Sequence, residues 1–212
     1  MFPFEEIANA IIVGNAEKVE NLTKTALKQG VAPKAIIDNA FVVGMNTVSE
    51  KFRTNEYYVP QVLFAARALQ TGLDLIKPLL SSLENAYPGK VVIGTSRGDM
   101  HDIGKNIVAM MLAGAGFEII HLGTDISPQR FVQVVKEQSP QIVGISSLMT
   151  TTMPAMKETI ECLKNAGVRD QVKVIIGGAP VTQDFAKEIG ADAYAPDASK
   201  AVDLVKELLK KG

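Results

Sequence analysis

"VVIGTSRGDMHDIGKNIV" runs from Val91 to Val108. Its first six residues are apolar and β-branched, then small, and read as a short buried strand that ends in a loop. A helix is predicted next, over 104–114. The strand signal returns at 117–123 ("FEIIHLG"), 141–148 ("QIVGISSL"), 172–178 ("VKVIIGG") and 191–196 ("ADAYAP"). Helical stretches are predicted between and after these, at 127–138, 154–166, 181–189 and 198–211. Strict alternation of strand and helix implies a parallel sheet covered on both faces. Five such units make a doubly wound α/β fold, which takes its ligand at the carboxyl ends of the strands, near the switch point.

Upstream the grammar differs. Residues 1–86 read as helices alone. A short apolar segment covers 4–13, and a helix over 16–29 follows Asn15 and stops at Gly30. Pro33 suits a first helical turn, and Ile36, Ile37, Ala40, Gly44, Val48 and Phe52 continue at helical spacing. Pro60 opens a fourth helix, with Val62, Leu63, Ala66, Leu69, Leu73 and Ile76 along it; its glycine and alanines permit close packing. A four-helix bundle is expected over 1–87 and the sheet domain over 88–212, joined by a linker at about 86–90 within "NAYPGK".

Composition narrows the function classes. Hydrophobic residues make up 47% of the 212, enough for a folded core. The 22 basic and 23 acidic residues give a net charge of −1, and no basic block suggests a nucleic-acid or membrane surface. The start, with acids and a proline, is unlike a signal peptide, and no apolar run approaches a membrane span of about 20 residues. A soluble cytoplasmic protein is the expectation. The single cysteine, Cys162, excludes internal disulfides and cysteine-cluster metal sites; it is read as a half-buried helix thiol.

The loop after the first strand therefore sits at the ligand mouth. There Asp99, two residues before His101, can accept a hydrogen bond from one ring nitrogen, which fixes the tautomer and leaves the other nitrogen for a metal. Gly104 lets the next helix begin close to a ligand. The same D-x-H-x-x-G spacing also serves a surface histidine with a capping aspartate. The third strand ends in "SSLMTTTM" (146–153), a run of small hydroxyls. The fourth ends in "GGAPVT" (177–182), whose bare backbone permits close approach, and the fifth in "YAPDASK" (194–200). These suit a long polar appendage threaded into the sheet; singly, they also suit ordinary turns and caps.

Together, "GDMHDIGKNIV", "GISSLMTTTM" and "IIGGAPVT", in that order, resemble the cobalamin-binding module of methionine synthase and the corrinoid proteins of methyltransferase systems. The helical half resembles the preceding domain of that family at "EYYVPQVLFAARALQTGL". The resemblance spans nearly the whole chain. It implies a Rossmann-like or flavodoxin-like cobalamin-binding domain with a helical cap, and a cobalamin or related corrinoid whose own base is detached from cobalt and replaced by His101. Asp99 matches the aspartate that bonds this histidine, and Thr152 stands where a serine commonly completes the relay. Met100, Asp102, Ile103 and Gly104 belong to the same motif. Ser146, Leu148 and Thr150 match the segment lining the nucleotide tail, Gly177, Gly178 and Ala179 match the turn that makes room for it, and Tyr194, Ala195 and Ala198 match its far end. Tyr58, Val62 and neighbouring Leu63 match the segment covering the upper face, with "NAYPGK" as the hinge.

The resemblance further implies a methyl carrier that does not catalyse alone. A substrate-specific methyltransferase loads the methyl group. A second methyltransferase passes it to an acceptor such as tetrahydrofolate or a thiol coenzyme, and a reductive activating protein rescues oxidised cobalt. Two other classes share the sheet domain. An adenosylcobalamin-dependent mutase subunit typically lacks the helical cap, and a cobalamin-dependent regulator needs a DNA-reading segment that is not found here. His121, read at the end of the second strand, is assigned to packing or capping, Met110 and Met111 to the core, and Lys105 and Asn106 to corrin amides or solvation alike.

Overall fold

A computed structural model describes residues 2–80 and 88–210. The chain forms two compact units, one of Met1–Pro88 with Met110–Gly116, the other of Gly89–Ala109 with Phe117–Gly212. Of the linker read at about 86–90, residues 86 and 87 lie outside the described residues, and Lys90 already belongs to the first strand of the sheet.

The first unit contains α1 (Phe4–Ile12), α2 (Ala16–Lys28), α3 (Pro33–Ile36), α4 (Val42–Arg53) and α5 (Val59–Leu80). A π-helical turn, Ile37–Phe41, joins α3 to α4 without a break, so the described residues of the unit form four helical rods. The helix starts follow local chemistry. Asn15 caps α2, its side chain accepting from the Lys18 amide at 2.9 Å, and Pro33 opens α3. Helical spacing alone does not reveal the π turn. Its wider winding brings adjacent pairs inward, Ile36 with Ile37 and Ala40 with Phe41, all buried. Gly72 makes the close packing possible, since a Cβ there would lie 2.5 Å from the Phe41 ring.

The second unit is a five-stranded sheet in the order β2-β1-β3-β4-β5, with every pairing parallel. The strands are β1 (Lys90–Ser96), β2 (Glu118–Ile126), β3 (Ile142–Ser146), β4 (Lys173–Gly177) and β5 (Ala193–Ala195). The intervening helices are α6 (Ile103–Gly114), α7 (Pro128–Gln138), α8 (Pro154–Asn165), α9 (Gln183–Ile189) and α10 (Ala198–Lys210). Val92, Phe131, Val143, Ile145, Met156, Ile160 and Val174 form its core. The chain leaves β1 towards one edge and returns on the other side as β3, so the switch point lies between β1 and β3, and the loops after those two strands share its mouth.

One strand departs from the sequence expectation. β2 continues past Gly123 to Ile126, because its pairing with β1 shifts register twice and absorbs Gly123 (φ +94) and Asp125 (φ +54). His121 consequently lies inside β2 rather than at its end, and is exposed. Cys162 is half-buried in α8. Among the described residues, no helix is long and apolar enough to cross a membrane.

Candidate functional site

β1 ends at Ser96, and the loop to α6 turns back at once. Gly98 adopts φ +83, and Asp99 N donates to the Ser96 carbonyl at 3.1 Å. The turn delivers Asp99 into the gap between the β1 and β3 loops, where it is buried with no exposed surface. One carboxylate oxygen, Oδ1, accepts from the His101 amide at 2.9 Å and lies 2.8 Å from His101 Nδ1. The other, Oδ2, accepts from the Leu148 amide at 2.7 Å and from the Thr152 hydroxyl at 2.9 Å.

Burial works against a charge here and on its own raises the Asp99 pKa. The amides of His101 and Leu148, the His101 ring and the Thr152 hydroxyl outweigh it, and hold the carboxyl far below the usual carboxylate range. An ionised carboxylate can only accept, so Nδ1 carries a proton towards Asp99, and Nε2 is the ring nitrogen not bonded to the carboxylate. The His101 side chain is 52% exposed, so this nitrogen belongs to a ring that solvent or a ligand can reach. Met100, Ile103 and Leu148 around it are exposed although apolar, and a Cβ on Gly104 would meet nothing within 4 Å. The mouth is thus open and greasy around one fixed imidazole.

Several residues outside the sequence motif hold this loop. Asp125, in its left-handed conformation, accepts from Gly98 N at 2.7 Å through Oδ1, and its own amide donates to the Asp99 carbonyl at 2.9 Å. Thr95, fully buried, donates to the His101 carbonyl at 3.1 Å. Ser147, also fully buried, lies 2.6 Å from Thr152 Oγ1. The only hint of Asp125 in sequence is an acid behind a glycine in "GTDISP"; Ser147 is hidden in a run of look-alike hydroxyls.

Lys105 is buried, not solvated. Its Nζ donates to Asn106 Oδ1 at 2.6 Å, and Asn106 in turn donates to Asp102 at 2.9 Å. Burial lowers the Lys105 pKa, against the opposing pull of the Asp102 charge.

Asp99, His101 and Thr152 therefore lie in one hydrogen-bonded chain. Ser146 pairs with Thr95 on one side and Gly177 on the other, and Thr150 is exposed in the β3 loop. Gly177 lies beside Ala195, whose carbonyl would be 2.9 Å from an added Cβ. Ala179 is exposed, Tyr194 half-buried in β5, and Ala198 buried at the start of α10. In the helical unit, Tyr58 is exposed, while Val62 is wholly buried; the exposed apolar neighbours along α5 are Val59, Leu63 and Phe64.

Two family models, both described as a B12 binding domain, match the chain, one over residues 89–203 and the other over 3–77. The chain belongs to the B12-binding domain family. Among relatives of this B12-binding protein, trimethylamine corrinoid protein 2 of Methanosarcina mazei is 46% identical over 206 residues, covering 96% of this chain and 94% of that one. Dimethylamine corrinoid protein 1 of Methanosarcina acetivorans is 42% identical, covering 97% and 96%. The methanol:cobalamin methyltransferase complex MtaBC of Methanosarcina barkeri superimposes with a TM-score of 0.89 at 30% identity, over 99% of this chain and 80% of that one. A cobalamin-binding protein of Desulfitobacterium hafniense DCB-2 gives 0.78 at 33%, over 98% and 99%.

Proposed function

We propose that this B12-binding protein is the corrinoid methyl carrier of a methylamine methyltransferase system, with His101 as the protein's ligand to cobalt. The observation that carries this reading is the held imidazole at the switch point. Nδ1 is tied to a buried carboxylate and Nε2 is left for a metal. Among the described residues no three His, Cys, Asp or Glu side chains assemble a metal site. A metal held by His101 must therefore bring its other ligands with it, which a corrin ring does. The exposed apolar side chains of Met100, Ile103 and Leu148 suit the face of such a macrocycle.

Other residues have parts in the same reading. Asp99 keeps the ring's proton on Nδ1 and its orientation fixed, and Thr152 anchors Asp99. Ser146, Leu148 and Thr150 line the nucleotide tail, with Gly177, Gly178 and Ala179 beside it and Tyr194, Ala195 and Ala198 at its end. The helical unit, with the exposed Tyr58, covers the ring's upper face, whereas Val62, wholly buried, serves that unit's own packing. Bound cobalt supplies the methyl-carrying chemistry; the chain supplies the ligand and the fixed proton. Methylamines as donors are supported by the names of the relatives. The partners are a substrate-specific methyltransferase, an acceptor methyltransferase using tetrahydrofolate or a thiol coenzyme, and a reductive activating protein.

The test is reconstitution with hydroxocobalamin followed by electron paramagnetic resonance of the Co(II) state. Wild type is expected to show splitting from one protein nitrogen. His101→Ala is expected to lose it while retaining corrinoid through the tail contacts. The same splitting in His101→Ala would overturn the assignment.

A further inference from the structure

Thr152 stands between two acceptors. Its Oγ1 is 2.9 Å from Asp99 Oδ2 and 2.9 Å from the Met149 carbonyl oxygen. A hydroxyl has one proton, and between these two acceptors at equal distance charge favours the carboxylate. Ser147, a third possible acceptor, decides whether that proton stays available to Asp99. Its Oγ lies 2.6 Å from Thr152 Oγ1, whereas its other partners are farther, at 3.2 Å for the Met149 carbonyl and 3.4 Å for Asp99 Oδ2. Both residues are buried.

We propose that Ser147 is a positioning residue: it donates to Thr152 Oγ1 and so commits the Thr152 proton to the Asp99 carboxylate. The two possible directions of the chain are unequal. With Ser147 donating, Asp99 receives a hydroxyl bond at 2.9 Å, made stronger by the carboxylate's charge and by the polarised Thr152 O–H. With Thr152 donating to Ser147 instead, the only hydroxyl left for Oδ2 is Ser147 at 3.4 Å, near the limit of a hydrogen bond. No covalent bond changes in either direction; only two hydroxyl protons rotate.

The backbone fixes where Ser147 sits. Its amide donates to the Gly177 carbonyl at 3.1 Å. Its own carbonyl lies against Gly178, where a Cβ would come within 1.8 Å and where φ is +128. The bare turn after β4 thus seats the serine that directs the relay. The inference deepens the reading of His101 as cobalt ligand and rests on it for its purpose, but the hydroxyl chain belongs to the protein without corrinoid.

The experiment uses the full chain without corrinoid, by proton NMR. The Thr152 hydroxyl and the His101 Nδ1 proton are followed in wild type, Ser147→Ala and Ser147→Gly, with Thr152→Val identifying the hydroxyl signal. Both Ser147 variants are expected to exchange the Thr152 hydroxyl with solvent roughly tenfold faster, the factor for a hydrogen bond of about 1.4 kcal/mol, and to move the Nδ1 proton resonance. Wild-type exchange with an unmoved Nδ1 signal overturns the proposal. So does a change in the glycine variant alone, which marks loosened packing rather than a lost hydroxyl. Hydroxocobalamin uptake is measured separately on the same samples: failure to bind in wild type overturns the corrinoid reading and leaves the exchange result standing.

Discussion

Asp99 is a residue asked to remain charged where charge is disfavoured. Four donors at 2.7–2.9 Å make that possible, and they set its response to mutation. Asparagine keeps the shape but replaces one acceptor oxygen with a donor, which then faces a donor. Asp99→Asn is expected to cost about 2–3 kcal/mol at neutral pH, measured by urea denaturation of the protein without corrinoid. The sign with pH follows from the depressed carboxyl. Its stabilising contribution is complete above the unfolded-state value near ~3.9 and is lost as pH falls below it. The gap between wild type and Asp99→Asn should therefore stay constant from pH 7 to about 5 and narrow below about 4. On the proposed reading, an imidazole that leaves cobalt faces this same charge. The Co(II)/Co(I) midpoint potential should depend on pH less in Asp99→Asn than in wild type, and Thr152→Val should change that dependence less than Asp99→Asn does, since it removes a hydroxyl and not a charge. Equal pH dependence in wild type and Asp99→Asn would reduce Asp99 to a ring-orienting role.

At the scale of elements, two glycines of the sheet unit face different demands. Gly178 has both a left-handed φ and a backbone oxygen where its Cβ would go. Gly123 in β2 has φ +94 but open space around it. Gly178→Ala is expected to lose about 3 kcal/mol or more, because the Ser147 carbonyl cannot yield without moving the β3 loop. Gly123→Ala should lose about 1–2 kcal/mol, the conformational penalty alone. Thermal denaturation of the two variants checks the ranking. Comparable losses would mean that the approach to Ser147 is soft. The same contrast explains what could be read in advance. Strand and helix order came through because each element carries its own apolar period, and Asp99 and His101 came through because their partnership is local, two residues apart. Of the long-range partners, Thr152 was reached only through the family resemblance and Ser147 not at all. Each has a neighbour of the same chemistry, Ser146 and Thr151, and only the three-dimensional fold, with the Ser147 amide held on the Gly177 carbonyl, distinguishes them. Asp125 acts from the far end of β2, in a register that a bulge has shifted, and periodicity carries no record of a bulge. The π turn at Ile37–Phe41 was hidden for the same reason, since a helix with one residue more per turn still shows apolar residues three and four apart.

For the whole molecule, the division of labour follows from where the polar network lies. Thr95, Asp99, His101, Ser147 and Thr152 all belong to the sheet unit, and their hydrogen bonds close within it. The helical unit adds none of these groups. A fragment of residues 89–212 should therefore still bind hydroxocobalamin and still show the nitrogen splitting from His101. It should be less stable than the full chain, because the end of α6, Met110–Gly116, belongs to the compact unit of the helices and loses those neighbours. An apolar side chain of that segment left exposed in the fragment removes about 1.5–3 kcal/mol, a large share of a typical domain stability of about 5–15 kcal/mol. Cover for the upper face is the second part of the test. If the helices provide it, methylcobalamin bound to the fragment should photolyse and oxidise at rates near those of free methylcobalamin, while the full chain slows both. Equal protection by fragment and full chain would assign the cover to the sheet unit's own loops and take the lid away from Tyr58 and its helix.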